Sequence, residues 1–132
     1  MRQILSTLAI LLFVSACGGP QLSPAQQTQR ETNIAQTDAA VERAKTVQIN
    51  GKSFRVAHVV ERNQALVELT GSPVPYFVAE VEAASRAATG CNGAFNPGVL
   101  AFLGGDIASA DLAELRTKVS GRFSGWSVKL SC

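Results

Sequence analysis

Val47-Gln48-Ile49-Asn50-Gly51-Lys52-Ser53-Phe54-Arg55-Val56-Ala57-His58-Val59-Val60 is the stretch that decides the fold of this chain. Two apolar-rich runs flank Asn50-Gly51, and Asn-Gly suits the type I′ turn, whose twist matches that of paired strands. A two-residue turn there sets Val47 opposite Phe54. A second turn, centred on Arg62-Asn63, leads into Gln64 to Thr70 and sets Val60 opposite Ala65, His58 opposite Val67 and Val56 opposite Leu69. These residues share one face, as a half-buried antiparallel meander requires. The other face is polar at one end, with Lys52, Ser53, Arg55, Glu68 and Thr70. At its other end Val59 faces Leu66, with Ala57 beside them. An apolar patch on that side is either covered by the segment upstream of the meander or by the second helical segment, or presented to a partner.

Downstream, Ser72-Pro73 predicts a helix N-terminus, because serine caps and proline suits the first turn. Phe77, Val78, Val81, Ala84 and Ala88 follow at helical spacing, and Gly90 is a natural stop. Val99 to Leu103 reads as a short strand. Ser109 to Val119 fits a helix capped by Ser109 or an alternating strand. Trp126, Val128, Leu130 and Cys132 alternate with Ser127, Lys129 and Ser131, a half-buried final strand. The expected fold class is α+β: a small antiparallel sheet, three-strand meander first and last strand at the C-terminus, with one or two helices on one face.

Upstream, Gly18 to Lys45 has Gly18-Gly19-Pro20, Ser23-Pro24 and a Gln/Thr-rich stretch with few large apolar residues. Such a composition does not bury a core and reads as a flexible tether, although Glu31 to Lys45 contains good helix formers with a thin stripe at Ile34 and Val41. Before it come Arg2, an apolar run from Ile4 to Val14, and Val14-Ser15-Ala16-Cys17. A basic start, a short apolar core and a small-residue cleavage site describe an export signal. The run is shorter than the roughly 20 apolar residues that span a bilayer.

Because it ends in a cysteine, this segment resembles the bacterial lipoprotein precursor signal, the lipobox, over residues 1–17. The resemblance implies a diacylglycerol on the Cys17 thiol, cleavage just before Cys17, and acylation of the new amino terminus by a fatty acid such as palmitate. It divides the chain into a cleaved signal peptide (1–16), a lipidated N-terminus and tether (17–45) and one periplasmic domain (46–132). Gly18, where an Asp would imply inner-membrane retention, makes the outer membrane, facing the periplasm, the expected address. The inner membrane and the cell surface are the alternatives. Each buried CH₂ contributes about 0.8 kcal/mol, so two or three chains hold the domain at the membrane.

Twelve basic residues, one of them Arg2, oppose ten acidic ones. The remainder is close to neutral and has no basic block, which argues against nucleic acid. After Cys17 two cysteines remain, Cys91 and Cys132, and in an oxidising compartment an even pair reads as one disulfide. His58 is the single histidine. With it come no Cys-x-x-Cys, no His-x-x-x-His and no clustered acids, so no metal or cofactor is expected. Asp106, Asp111 and Glu114 lack the spacing of a calcium loop, and Glu80 and Glu82 lie on different helix faces and read as solvated charges. Cys91 with His58 is the one nucleophile–base pair available, and it would need Cys91 free.

The expectation is a non-enzymatic module, held at the membrane through Cys17, that binds a protein or another component of the envelope. Ala57, Val59 and Leu66 are its candidate partner surface. A small-ligand pocket at His58 or Trp126 is the alternative, and a thiol enzyme at Cys91 is the weaker third.

Overall fold

The computed structural model describes residues 21–102 and 105–132. A helix, α1 (Pro24–Glu42), precedes a meander of β1 (Lys45–Ile49), β2 (Lys52–Val59) and β3 (Gln64–Leu69). Then follow α2 (Val78–Thr89), β4 (Asn92–Phe95), α3 (Leu112–Lys118) and β5 (Trp126–Ser131). The five strands form one antiparallel sheet in the order β1-β2-β3-β5-β4. The chain is therefore α+β, with a small antiparallel sheet and packed helices.

The first hairpin follows local chemistry. Asn50 (φ 52°) and Gly51 (φ 76°) both take the left-handed conformation that a type I′ turn needs, and Val47 pairs with Phe54. At the second turn the register differs from expectation. His58 pairs with Ala65 and Val56 with Val67, because Val60–Arg62 forms a 3₁₀ turn closed by left-handed Asn63, so the reversal consumes more chain than a two-residue turn. The offset is two residues, an even number, so every side chain keeps its face.

On the inner face Phe54, Val56, Ala65, Val67, Val128 and Leu130 pack against Val81 and Ala84 of α2 and Leu112 of α3. Helix α2 begins at Val78, five residues after Pro73, rather than at Ser72-Pro73. Pro75 disfavours helical backbone at Val74, so the chain stays extended until Phe77. Phe77 caps the helix with its own N–H donating to Glu80 Oε1 at 3.2 Å, and α2 ends at left-handed Gly90. Glu80 is buried rather than solvated: Lys52 Nζ reaches its two oxygens at 2.9 and 2.7 Å, tying the β1–β2 hairpin to the start of α2.

Helix resolves the ambiguity at 109–119, with Asp111 as the cap in place of Ser109. Its carboxylate accepts from Ala113 N at 2.9 Å. Gly98–Phe102 is a 3₁₀ turn, not the strand expected over 99–103; Leu103 lies outside the described residues. The strand of this region is β4 instead. It fits under α2 only because residue 93 is glycine: a Cβ there would stand 2.5 Å from Ser85 Oγ and 2.6 Å from Val128 Cγ1.

The largest departure is α1. Residues 24–42 form 19 residues of helix where a flexible coil is expected. Ser23 and Gln26 exchange hydrogen bonds in a capping box, with Pro24 in the first turn. The C-terminal half then docks on the outer sheet face, where Ala40 and Val41, with Ala44 just past the helix end, cover Ala57, Val59 and Leu66. Small side chains suffice because they let the helix approach the sheet closely. Arg62 locks the contact, donating to Asn33 O at 3.0 Å and Thr37 Oγ1 at 2.7 Å. Arg122 pairs with Asp38 nearby.

Candidate functional site

Three elements converge on His58. Arg43 is the C-terminal cap of α1, Lys45 opens β1, and His58 lies one residue before the end of β2. They line a cleft of about 340 Å³, together with Ala40, Val56 and Val60 and with Ala88 and Thr89 at the end of α2. Ala40 and Val56 are each 2% exposed and belong to the outer and inner clusters respectively, so the cleft lies across the end of the sheet; His58 is half-buried, and Arg43 and Lys45 are exposed. The cleft forms because α1 ends above the sheet and the chain turns at Arg43 and Ala44 into β1; Arg43 N and Ala44 N both donate back into the last turn of α1.

The lining carries three basic side chains and no acidic one. Among the described residues Arg43, Lys45 and His58 make no ion pair, whereas Lys52, Arg55, Lys118 and Arg122 all do. The arrangement can attract and orient an anion; Arg adds a planar fork suited to carboxylate or phosphate.

Trp126 is not in this cleft. It is buried on the inner face, its Nε1 donating to Tyr76 Oη at 2.6 Å, with its ring edge-on to Phe123 at 5.1 Å. The His58 and Trp126 candidates are therefore two separate places. Burial raises the Tyr76 phenol above its ordinary value near 10, against the opposing pull of the Trp126 hydrogen bond and the Arg116 charge. A narrow gap of about 110 Å³ beside it is lined by Leu69, Pro73, Ala113, Arg116 and Phe123. A wider groove of about 590 Å³ runs along the first half of α1, past Leu22, Ile34 and Arg122.

The partner surface expected at Ala57, Val59 and Leu66 is not open. These residues are 3%, 0% and 8% exposed beneath α1. The physical reason is the docking of a segment read as tether. Cys91 and Cys132 stand at disulfide distance, Cα atoms 4.5 Å apart. They continue the β4–β5 register by one step beyond Asn92↔Ser131, so the link joins two neighbouring strands directly. Cys17 and the signal over 1–16 lie outside the described residues. Asp106 and Asp111 serve as caps of short helical turns. Among the described residues, no group of three His, Cys, Asp or Glu side chains could hold a metal ion, and no helix is long and apolar enough to cross a membrane.

Sequence reading missed Arg43 and Lys45, which sit in the stretch assigned to the tether. Their only signal was two basic residues just before the first strand, and nothing local says that they meet His58.

No family model, curated protein or solved structure matches this chain.

Proposed function

We propose that this protein is a non-enzymatic, lipid-anchored binding module of the bacterial cell envelope, held at the periplasmic face of the outer membrane through Cys17. The observation that carries this reading is Val14-Ser15-Ala16-Cys17 at the end of an apolar run, closely followed by a helix that docks on the domain. Seven residue steps lead from Cys17 to Pro24. At about 3.3–3.6 Å per residue they reach at most roughly 25 Å. Beyond them α1 is stiff, about 1.5 Å per residue over its length. The domain would hang from a short leash and a rigid stalk, which confines it near the bilayer and raises its effective concentration towards envelope components.

A binding role is supported by an open basic cleft at His58. A thiol enzyme is disfavoured by the position of Cys91, which at disulfide distance from Cys132 offers no thiolate to attack a substrate. With Ala57, Val59 and Leu66 covered, binding falls to the cleft rather than to that patch.

Intact non-reducing mass spectrometry on protein purified from its own envelope fraction tests the anchor. The expected mass begins at Cys17, carries lipid, and lacks two hydrogens at Cys91 and Cys132. A mature protein without lipid overturns the reading.

A further inference from the structure

We infer that Arg43, Lys45 and His58 form the anion subsite of the cleft between the end of α1 and the end of α2, and that the ligand is a phosphate ester with a small apolar body. The inference deepens the binding role proposed above and rests on it for the setting; the cleft chemistry itself does not need Cys17 to be lipidated.

Charge supplies the first reason. Three basic side chains from three elements face one concavity, with no carboxylate in its lining. Several cations elsewhere in the molecule hold structural contacts, while among the described residues Arg30, Arg86 and Lys129 stand singly and do not line this cleft. Lys52 holds Glu80, Arg55 holds Glu68 at 2.8 Å, Arg62 latches α1, and Arg122 pairs with Asp38. Among the described residues the side chains of Arg43, Lys45 and His58 make neither an ion pair nor a hydrogen bond to the protein. Arg43 and Lys45 repel one another, and an anion between them relieves that repulsion. A guanidinium fork, an ammonium and an imidazole together offer enough donors for the several oxygens of a phosphate group.

Shape supplies the second. Ala40, Val56, Val60 and Ala88 give the cleft an apolar side, so it suits an anion joined to a carbon skeleton rather than a bare ion. Its 340 Å³ lies at the lower end of the range for small-molecule sites and equals roughly ten waters at about 30 Å³ each. That is room for one compact ester.

Basic side chains also favour helix C-termini, where partial negative charge gathers, and Arg43 and Lys45 lie near the end of α1 and face that of α2. If that were their whole role, an added anion would find no site.

The test uses the full mature protein in a neutral detergent, titrated with n-butyl phosphate, while the ring of His58 is followed by NMR and heat is measured in parallel. One histidine in the chain makes the imidazole signal unambiguous. Saturable binding, a shift of the His58 ring, and a loss of at least tenfold in affinity in R43Q/K45Q are expected. K129Q removes a single charge from an exposed strand position outside the cleft and should change affinity less than twofold. No saturable binding, an unmoved His58 ring, or an equal loss in K129Q overturns the inference. The wild-type ring signal decides the matter even if the double variant folds poorly.

Competition then separates two sources of the same chemistry. Displacement by phosphatidylglycerol vesicles but not phosphatidylcholine vesicles assigns the site to an anionic lipid headgroup; persistence of the bound ester assigns it to a soluble phosphate ester. Mass spectrometry of the same preparation keeps the proposals apart. Lipidated protein that ignores the ester overturns the cleft alone, and unlipidated protein that binds it overturns the anchor alone.

Discussion

Trp126 Nε1 donates a 2.6 Å hydrogen bond to the hydroxyl of Tyr76, joining the last strand to the segment that leads into α2, 50 residues away. Both side chains are buried, and Tyr76 also meets Phe54 edge-on with ring centroids 5.6 Å apart. Tyr76→Phe keeps the ring and removes the acceptor, leaving a buried indole N–H unpaired. The expected cost is about 1–3 kcal/mol, read as a lower urea midpoint with the fluorescence of the single tryptophan as reporter. An unchanged midpoint would mean that water satisfies the indole.

Alkaline stability follows from the same phenol. Burial holds the Tyr76 pKa above the value near 10 that it has in the unfolded chain. The folded state therefore keeps its proton at pH values where the unfolded state has lost it. Below pH 10 this group contributes no pH dependence; as pH rises from 10 through the raised folded value, stability falls. Tyrosinate absorbance of the native protein should rise later than that of the protein in urea, and the chain has a single tyrosine to read. Coincident titrations would refute this.

Docking of α1 should depend on Arg62, whose guanidinium bonds Asn33 O and Thr37 Oγ1. Arg62→Ala loses those charged donors, at about 1–3 kcal/mol. Amides of α1 are expected to exchange faster with solvent while those of β5 keep their protection. Leu66→Glu should have the same signature, because the carboxylate would sit under α1 instead of on an open face. Uniform acceleration across the sheet, or none, would argue against a separable helix.

Reducing the Cys91–Cys132 link should destabilise the domain without dissolving it. The pair is separated by 41 residues, which the chain-entropy account values at about 4 kcal/mol. Loss should be greatest at the edge strand β4, whose partner is β5 alone. Equal urea midpoints with and without reductant would count against the bond.

The meander was legible in the sequence because its signals are local: Asn50-Gly51 prescribes its own turn, and alternation assigns each side chain to a face. Exact pairing across the second turn was not, since residues 60–62 give no local mark of a 3₁₀ reversal. The final strand was legible for the same reason as the first two. Strand β4 was not, for Asn92-Gly93-Ala94-Phe95 has little strand propensity of its own. Its pairing is a tertiary fact, visible in hindsight from Cys91 and Cys132 standing one step beyond its register.

Residues 21–45 show the division most sharply. The capping signals Ser23, Pro24 and Gln26 were present, yet a helix with Ile34 and Val41 as its only large apolar residues has little to bury alone. It is stabilised by what it covers. An apolar patch at Ala57, Val59 and Leu66 is compatible with cover by the upstream segment, cover by the second helical segment, or a partner; only the tertiary structure decided that α1 covers it. The cleft followed from that decision. By itself the sequence determined local conformation and face assignment in the meander, because these depend on neighbouring residues. Where Arg43 and Lys45 meet His58 was decided by long-range packing, which no short window encodes.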